Sequence, residues 1–512
     1  MIKLTSSKAI FLSCVFCFVT AIASRAQTLT TLASFNYTNG YMPWSVTLIQ
    51  GTDGNFYGTT YGGGAYGMGT VFKVTAGGEL VALYSFCAQS GCPDGKWPLA
   101  GLVQAVDGNF YGTTSLGGAN NDGTIFKITP EGQLTSLHSF TGADGQNPGT
   151  TLVLATNGNF YGTTSNGGGS DACNGPGCGT IFEITPAGEF TVLHIFNFAD
   201  GFIPSGLAQA SNGNFYGTAA KGGVVNDLCL TGPGCGTVFE MTPAGSLTTL
   251  YTFDGDDGWS PQGGVVQGTD GNFYGTTAWG GASNSGTVFE ITPGGQLTTL
   301  HSFELTDGGF PTGPLIQATD GKLYGTTTGG GPTAVPDTMN GGNGTIFEIT
   351  LEGALTALYN FSQASGPGPW PDGAQPWGGL VQATNGDFYG TTIMGGTGYN
   401  CGTAGCGTVF SLSVGLDPFV KMEPTSGEVG ATVIILGTDL MGATRVTFNG
   451  TTAEFTVVSS SEIRASVPAG ASTGKVEVST PHGAFSSNVP FRVGLQWTRR
   501  HLPLPIRFPR PL

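Results

Sequence analysis

The stretch TDGNFYGTT at residues 52–60 returns as VDGNFYGTT (106–114), TNGNFYGTT (156–164), SNGNFYGTA (211–219), TDGNFYGTT (269–277), TDGKLYGTT (319–327) and TNGDFYGTT (384–392). Its tyrosines, Tyr57, Tyr111, Tyr161, Tyr216, Tyr274, Tyr324 and Tyr389, lie 50 to 65 residues apart. One supersecondary unit is therefore used seven times. Around each copy stand three further strand-like segments. A GLVQA-like segment precedes it (102–105, 207–210, 380–383), a GTVFEIT-like segment follows, and an LTTLYSF-like segment ends the unit. Alternating apolar residues, β-branched enrichment and Gly/Pro punctuation favour strands over helices.

The connections decide the architecture. Asp-Gly or Asn-Gly precedes the aromatic strand in every copy, from Asp53-Gly54 to Asn385-Gly386. Such pairs tolerate positive φ at both centres of a type I′ hairpin turn, and that turn is expected here. TPAGE-like turns join the third and fourth segments. Four antiparallel strands used seven times predict a seven-bladed β-propeller. The first strand-like segment, at 29–35, is of the fourth type, and the last, at 407–413, is of the third type. The N-terminus must then supply the outer strand of the last blade, which hides a sheet edge. Tight turns cannot span a blade, so the crossover needs a long link. The link after LYSF carries (D/N)G-x-x-P in all seven copies, from Asn39–Pro43 to Asp372–Pro376, and is the expected crossover. It shares one face with the other long link, between YGTT and GTVF.

Residues 1–26 read as a signal peptide: Lys3 and Lys8 precede an apolar run, and small residues follow near Ala26. The run is short for a membrane span. Removing Cys14 and Cys17 leaves Cys87 with Cys92, Cys173 with Cys178, Cys229 with Cys235, and Cys401 with Cys406. Four close pairs in an exported chain read as local disulfides rather than metal sites. The repeat occupies 27–415. After it, 418–493 alternates short strands and reads as a β-sandwich. Residues 494–512 are Pro-rich and basic and read as a disordered tail.

The formal charge of −16 argues against nucleic acid or an anionic membrane surface as partner. No catalytic residue, metal ligand or cofactor motif emerges. His138, His194 and His301 share a repeat position with Tyr84, Tyr251 and Tyr359, which marks a packing or strand-surface site. The Gly470-Ala471-Ser472-Thr473-Gly474 match to a nucleophile elbow has no helix after it. Asp254 to Gly258 lacks the bidentate glutamate of a calcium loop. Irregular residues, among them Lys96, Asp171, Lys221 and Glu304, show no cluster in sequence. The long links carry Tyr41, Trp44, Trp97, Phe202, Trp259, Trp279, Phe310, Trp370 and Trp377. Aromatics beside Asp and Asn are suited to stacking on sugar rings or anchoring a protein, and equally to wedging between blades.

Through DGNFYGTT, GTVFEITP and LTTLHSF the chain resembles the GloVer (choice-of-anchor) tandem-repeat family. The resemblance implies an exported protein held outside the cell, with no established activity. Residues 418–493 resemble an IPT/TIG immunoglobulin-like domain through PTSGEVGATVIILGTDL, VTFNG and VPAGASTGKVEVSTPHG, which implies a spacer or interaction module. The tail shows neither a membrane span nor a recognised sorting signal. The expectation is a secreted or surface-attached scaffold that binds extracellular carbohydrate or protein through the aromatic face, without catalysis. The competing readings are an extracellular polysaccharide lyase or hydrolase and a structural surface-layer component.

Overall fold

The structure, a computed structural model, describes residues 27–494 apart from 171, 172, 174, 176, 224, 226–228, 230–233, 333–341 and 362–369. The signal-peptide and tail readings, and Asp171, lie outside the described residues. In the first repeat sheet, Ile49–Gln50, Phe56–Thr60, Thr70–Val74 and Leu80–Ser85 pair antiparallel in that order. Five more sheets of the same order follow, built on the aromatic strands Phe110–Thr114, Phe160–Asn166, Phe215–Lys221, Phe273–Thr277 and Leu323–Thr327. In the third, Gln146–Pro148 and Val153–Leu154 both pair with the aromatic strand. The seventh joins Val381–Gln382, Phe388–Thr392 and Thr408–Ser413 to the N-terminal strand Thr28–Ser34, antiparallel, with Leu29 opposite Leu412. The expected closure by the first strand is thus observed. The link after the fourth strand is the crossover, because the strand that follows it starts a new sheet.

Each aromatic strand is buried along its FYGTT or LYGTT core, since a sheet lies on either side. Tyr57 packs on Phe110 of the next sheet with ring centroids 4.1 Å apart, and Tyr389 of the seventh on Phe56 of the first at 3.9 Å. Phe86 meets Phe126 edge-on at 5.3 Å, and Phe35 meets Phe72 at 5.0 Å. Burying each ring contributes roughly 1.5–3 kcal/mol, before about 0.5–1.5 kcal/mol for the pair geometry. The result is an all-β, propeller-like body whose core lies between sheets.

The Asp-Gly turns differ from the expected type I′. Gly54 N–H donates to Gly51 O (2.9 Å) and Gly51 N–H to Asn55 O (2.8 Å). Positive φ occurs at Gly54 (80°), while Asp53 is not among the positive-φ residues. This is a type I turn closed by a glycine bulge, and it needs only one left-handed residue. Asp53 is then free to act through its side chain, accepting from Asn55 N–H and from the Tyr57 hydroxyl at 2.8 Å. Burial first, then that hydrogen bond, push the Tyr57 hydroxyl far above its ordinary pKa, so it remains a donor.

Residues 420–493 form a sandwich. One sheet orders Lys421–Glu423, Thr432–Leu436, Glu462–Ser466 and Phe455–Val457; the other orders Thr451–Thr452, Arg445–Phe448, Val476–Thr480 and Gly483–Ser486. Val433, Ile435, Phe448, Ile463, Val476 and Phe491 fill its core. The sandwich touches the tight turns of the repeat sheets. Ser461 Oγ donates to Thr52 O (2.8 Å), Thr438 and Thr384 hydroxyls meet at 2.9 Å, and Arg492 Nη1 donates to Ser211 O (3.1 Å).

Candidate functional site

The two long links of a unit lie together, on one face. Isolated bridges pair Tyr41 with Gly62, Lys96 with Leu116, Trp259 with Trp279, Gly309 with Gly329 and Ala374 with Met394. The aspartate of the crossover link ties two sheets. Asp144 accepts from His138 Nε2 (3.1 Å) of the preceding sheet, and its backbone carbonyl accepts from Thr180 of its own sheet (3.2 Å). The same clasp joins His194 to Asp200 and His301 to Asp307, and the Tyr84 and Tyr359 hydroxyls donate to Asp94 and Asp372. The Tyr/His position is therefore a donor position as well as a packing one. The sequence carried a signal for it: in the copy where Ala33 replaces the ring, Asn39 replaces the aspartate.

The residue before each link proline sits in the left-handed region: Met42, Trp97, Asn147, Ile203, Ser260, Phe310 and Gln375, with φ between 50° and 60°. Each costs about 1–2 kcal/mol for a non-glycine residue. The conformation persists because the N–H of this residue bonds to the loop before the third strand, as Trp97 N–H does to Met68 O (2.9 Å) and Phe310 N–H to Ser285 O (2.8 Å).

On this frame the nine predicted aromatics are all half-buried. The structure gathers most of them into two arcs. Trp377 and Trp44 lie 4.8 Å apart, Trp44 reaches Tyr61 at 6.2 Å, and Tyr61 stacks on Trp97 at 5.5 Å, with Lys96 Nζ 5.2 Å from the Trp97 ring. In the other arc Trp259 stacks on Trp279 at 5.7 Å, and Trp279 meets Phe310 at 4.4 Å. Tyr61 was not among the predicted residues; it follows YGTT directly, in the second long link. Tyr41 packs on Tyr37 at 5.9 Å, and Phe202 lies under Lys221 Nζ at 6.0 Å. Trp370 makes no described ring contact; its carbonyl accepts from Gly396 N–H (2.8 Å).

Beside Trp377, at the end of the first arc, opens a cavity of about 420 Å³. Its wall includes Ser45, Thr47, Thr150, Ser165, Ser205, Lys221, Ser260, Gln262, Thr312 and Trp377. Of the irregular residues singled out in the sequence, Lys221 alone of the described ones lines it; Lys96 stands over the first arc and Glu304 is exposed in a link. Asp254 Oδ1 accepts the N–H of Asp256 in a turn, and Asp257 is engaged by Tyr251. The four expected disulfides are present: Cys87–Cys92 in a crossover link, and Cys173–Cys178, Cys229–Cys235 and Cys401–Cys406 in the other long links.

The Gloeobacter/Verrucomicrobia repeat matches residues 17–176 and 174–404, most of the chain. The chain belongs to this repeat family. An IPT/TIG domain matches 419–493, the sandwich of the repeat-family chain. Among curated proteins no sequence matches. Solved structures similar in fold include a fungal alcohol oxidase of the AA5 family in complex with copper, at 14% identity and a TM-score of 0.50, covering 92% of this chain and 100% of that one. A catalytically inactive virginiamycin B lyase from Staphylococcus aureus with quinupristin is also similar, at 14% identity and a TM-score of 0.49, covering 76% and 99%. At these identities the likeness concerns fold. No helix among the described residues is long and apolar enough to cross a membrane.

Proposed function

We propose that this repeat-family chain is an extracytoplasmic seven-bladed β-propeller that serves as a binding scaffold, recognising carbohydrate with its long-link face. Support for the closed ring comes from the contacts of the seventh sheet with the first: Tyr389 on Phe56, Phe35 on Phe72, and Thr384 N–H to Gln50 Oε1 at 3.0 Å. In such a ring the fourth sheet stands opposite the junction of the seventh and first. A TIG domain bonded to Thr52, Thr384 and Ser211 then crosses the axis on the tight-turn side. The domain is a floor as well as a spacer, and ligand enters from the long-link face.

The observation that carries the binding reading is the pair of aromatic arcs in the long links, one of which ends at Trp377 on the cavity wall. Their members occupy positions that vary from copy to copy, so the sheet frame does not require them. Half-buried indole faces beside hydroxyl-bearing walls suit sugar rings. Export is supported by the four disulfides, which persist in oxidising compartments. Glycan-array binding of the full chain, run beside release assays on the same polysaccharides, tests the reading. Binding without turnover, lost in Trp97→Ala and Trp259→Ala, is expected. Turnover would replace the scaffold with a polysaccharide-acting enzyme, and capture of protein but no glycan would replace carbohydrate as the ligand.

A further inference from the structure

The cavity wall has a charge of its own, opposite to that of the chain. The whole protein carries −16, yet the lining residues include no aspartate or glutamate and one cation, Lys221. Lys221 closes the aromatic strand Phe215–Lys221 and is half-buried. Its ammonium stands 6.0 Å from the Phe202 ring and forms no ion pair among the described residues. The frame does not call for a lysine: the same position after YGTT holds Gly62, Leu116, Asn166, Trp279, Gly329 and Met394 in the other copies. A half-buried ammonium in a walled cavity is screened less than one in open water, so an incoming anion gains from it.

The rest of the wall says what kind of anion. Ser45 and Ser165 bring hydroxyls with no hydrogen-bond partner among the described residues, and Trp377 brings its indole ring. Gln262 adds an amide. A ligand with several hydroxyls, a flat apolar ring face and one negative charge would satisfy these groups together. We propose that the cavity binds a carboxylate-bearing sugar, a hexuronate unit, with Lys221 holding its carboxylate and the serine hydroxyls and Trp377 meeting its ring. This assignment rests on the carbohydrate-binding reading and sharpens it to acidic glycans. The cavity volume of about 420 Å³ falls within the range of small-molecule sites, about 300–1,000 Å³.

The test is calorimetric titration of the full chain with digalacturonate and with its neutral counterpart, digalactose. Wild type is expected to prefer digalacturonate by about tenfold, the scale of a charge-assisted hydrogen bond, with the preference shrinking as salt is raised. Lys221→Met should remove the preference, bringing digalacturonate affinity down to that of digalactose with the thermal midpoint unchanged, and Lys221→Arg should keep it. Acetate and phosphate at equal ionic strength should fail to displace the sugar. Equal affinity for the two sugars, or an unchanged preference in Lys221→Met, overturns the acidic-sugar assignment and leaves the scaffold reading standing. Displacement by acetate shows a general anion site and also overturns it. Absence of binding to either sugar overturns the assignment, and the glycan array then judges the broader reading separately.

Discussion

His138 and Tyr251 do one job in different copies: each ring donates to the aspartate of the following link, Asp144 or Asp257. They differ in how they titrate. Burial lowers the His138 pKa below its ordinary 6.5, outweighing the charge and hydrogen bond of Asp144, which raise it. The unfolded chain therefore takes up the proton first as pH falls through about 6.5, and stability declines from there until the folded pKa is passed. Thermal midpoints measured from pH 8 to 5 should fall less steeply for His138→Tyr than for wild type; identical slopes would show that the ring is not sheltered. Glycine is needed for a different reason. At Gly95, φ is +97° and an added Cβ would collide with the hydroxyls of Thr114 and Thr124, whereas Gly91, at +83°, has nothing near it. Urea unfolding should show Gly91→Ala costing about 1 kcal/mol, the left-handed strain alone, and Gly95→Ala costing about 3 kcal/mol or more, because strain and overlap add.

Neighbouring sheets are joined by a repeated bond from a tight turn to the next sheet's glutamine. Thr52 N–H donates to Gln104, Thr156 to Gln209, Ser211 to Gln267, Thr269 to Gln317, Thr319 to Gln382 and Thr384 to Gln50. Between the second and third sheets Leu154 stands where the glutamine would be, and the amide of exposed Val106 has no such acceptor. Native-state hydrogen exchange should find the Val106 amide exchanging faster than those six, and equal protection would contradict this account of the junctions. The disulfides belong to the same scale. They close loops of sequence separation 5 or 6, each worth about 2 kcal/mol by loop entropy. Reduction should lower the thermal midpoint while leaving the strand signature in circular dichroism; collapse of that signature would mean that they hold the sheets.

For the molecule as a whole, the N-terminal strand Thr28–Ser34 supplies the outer edge of the seventh sheet. Deleting residues 27–34 exposes the edge of Thr408–Ser413 and removes Phe35's anchor beside Phe72. Light scattering should then show self-association, with a broadened unfolding transition. A monomer with unchanged unfolding would refute closure by this strand.

The seven copies of D/N-G-x-F/L-Y-G-T were enough to determine an all-β repeat, its strand order and the N-terminal closure, because each follows from local turn chemistry and counting; they narrowed the crossover to two long links, and the sheet pairing chose between them. The disulfide pairing was likewise legible, since each pair brackets a short loop. Only the tertiary structure decided how the turns and links are used. The bulged turn depends on backbone angles that Asp-Gly leaves open, and the Asp144 clasp joins residues of two different sheets. It also decided the site. Trp377 and Trp44 are more than three hundred residues apart in sequence but 4.8 Å apart in space. Lys221 stands on a cavity wall free of carboxylates. Contact between the seventh and first sheets brings together side chains that no local pattern relates, so the frame was readable in one dimension and the candidate recognition surface was not.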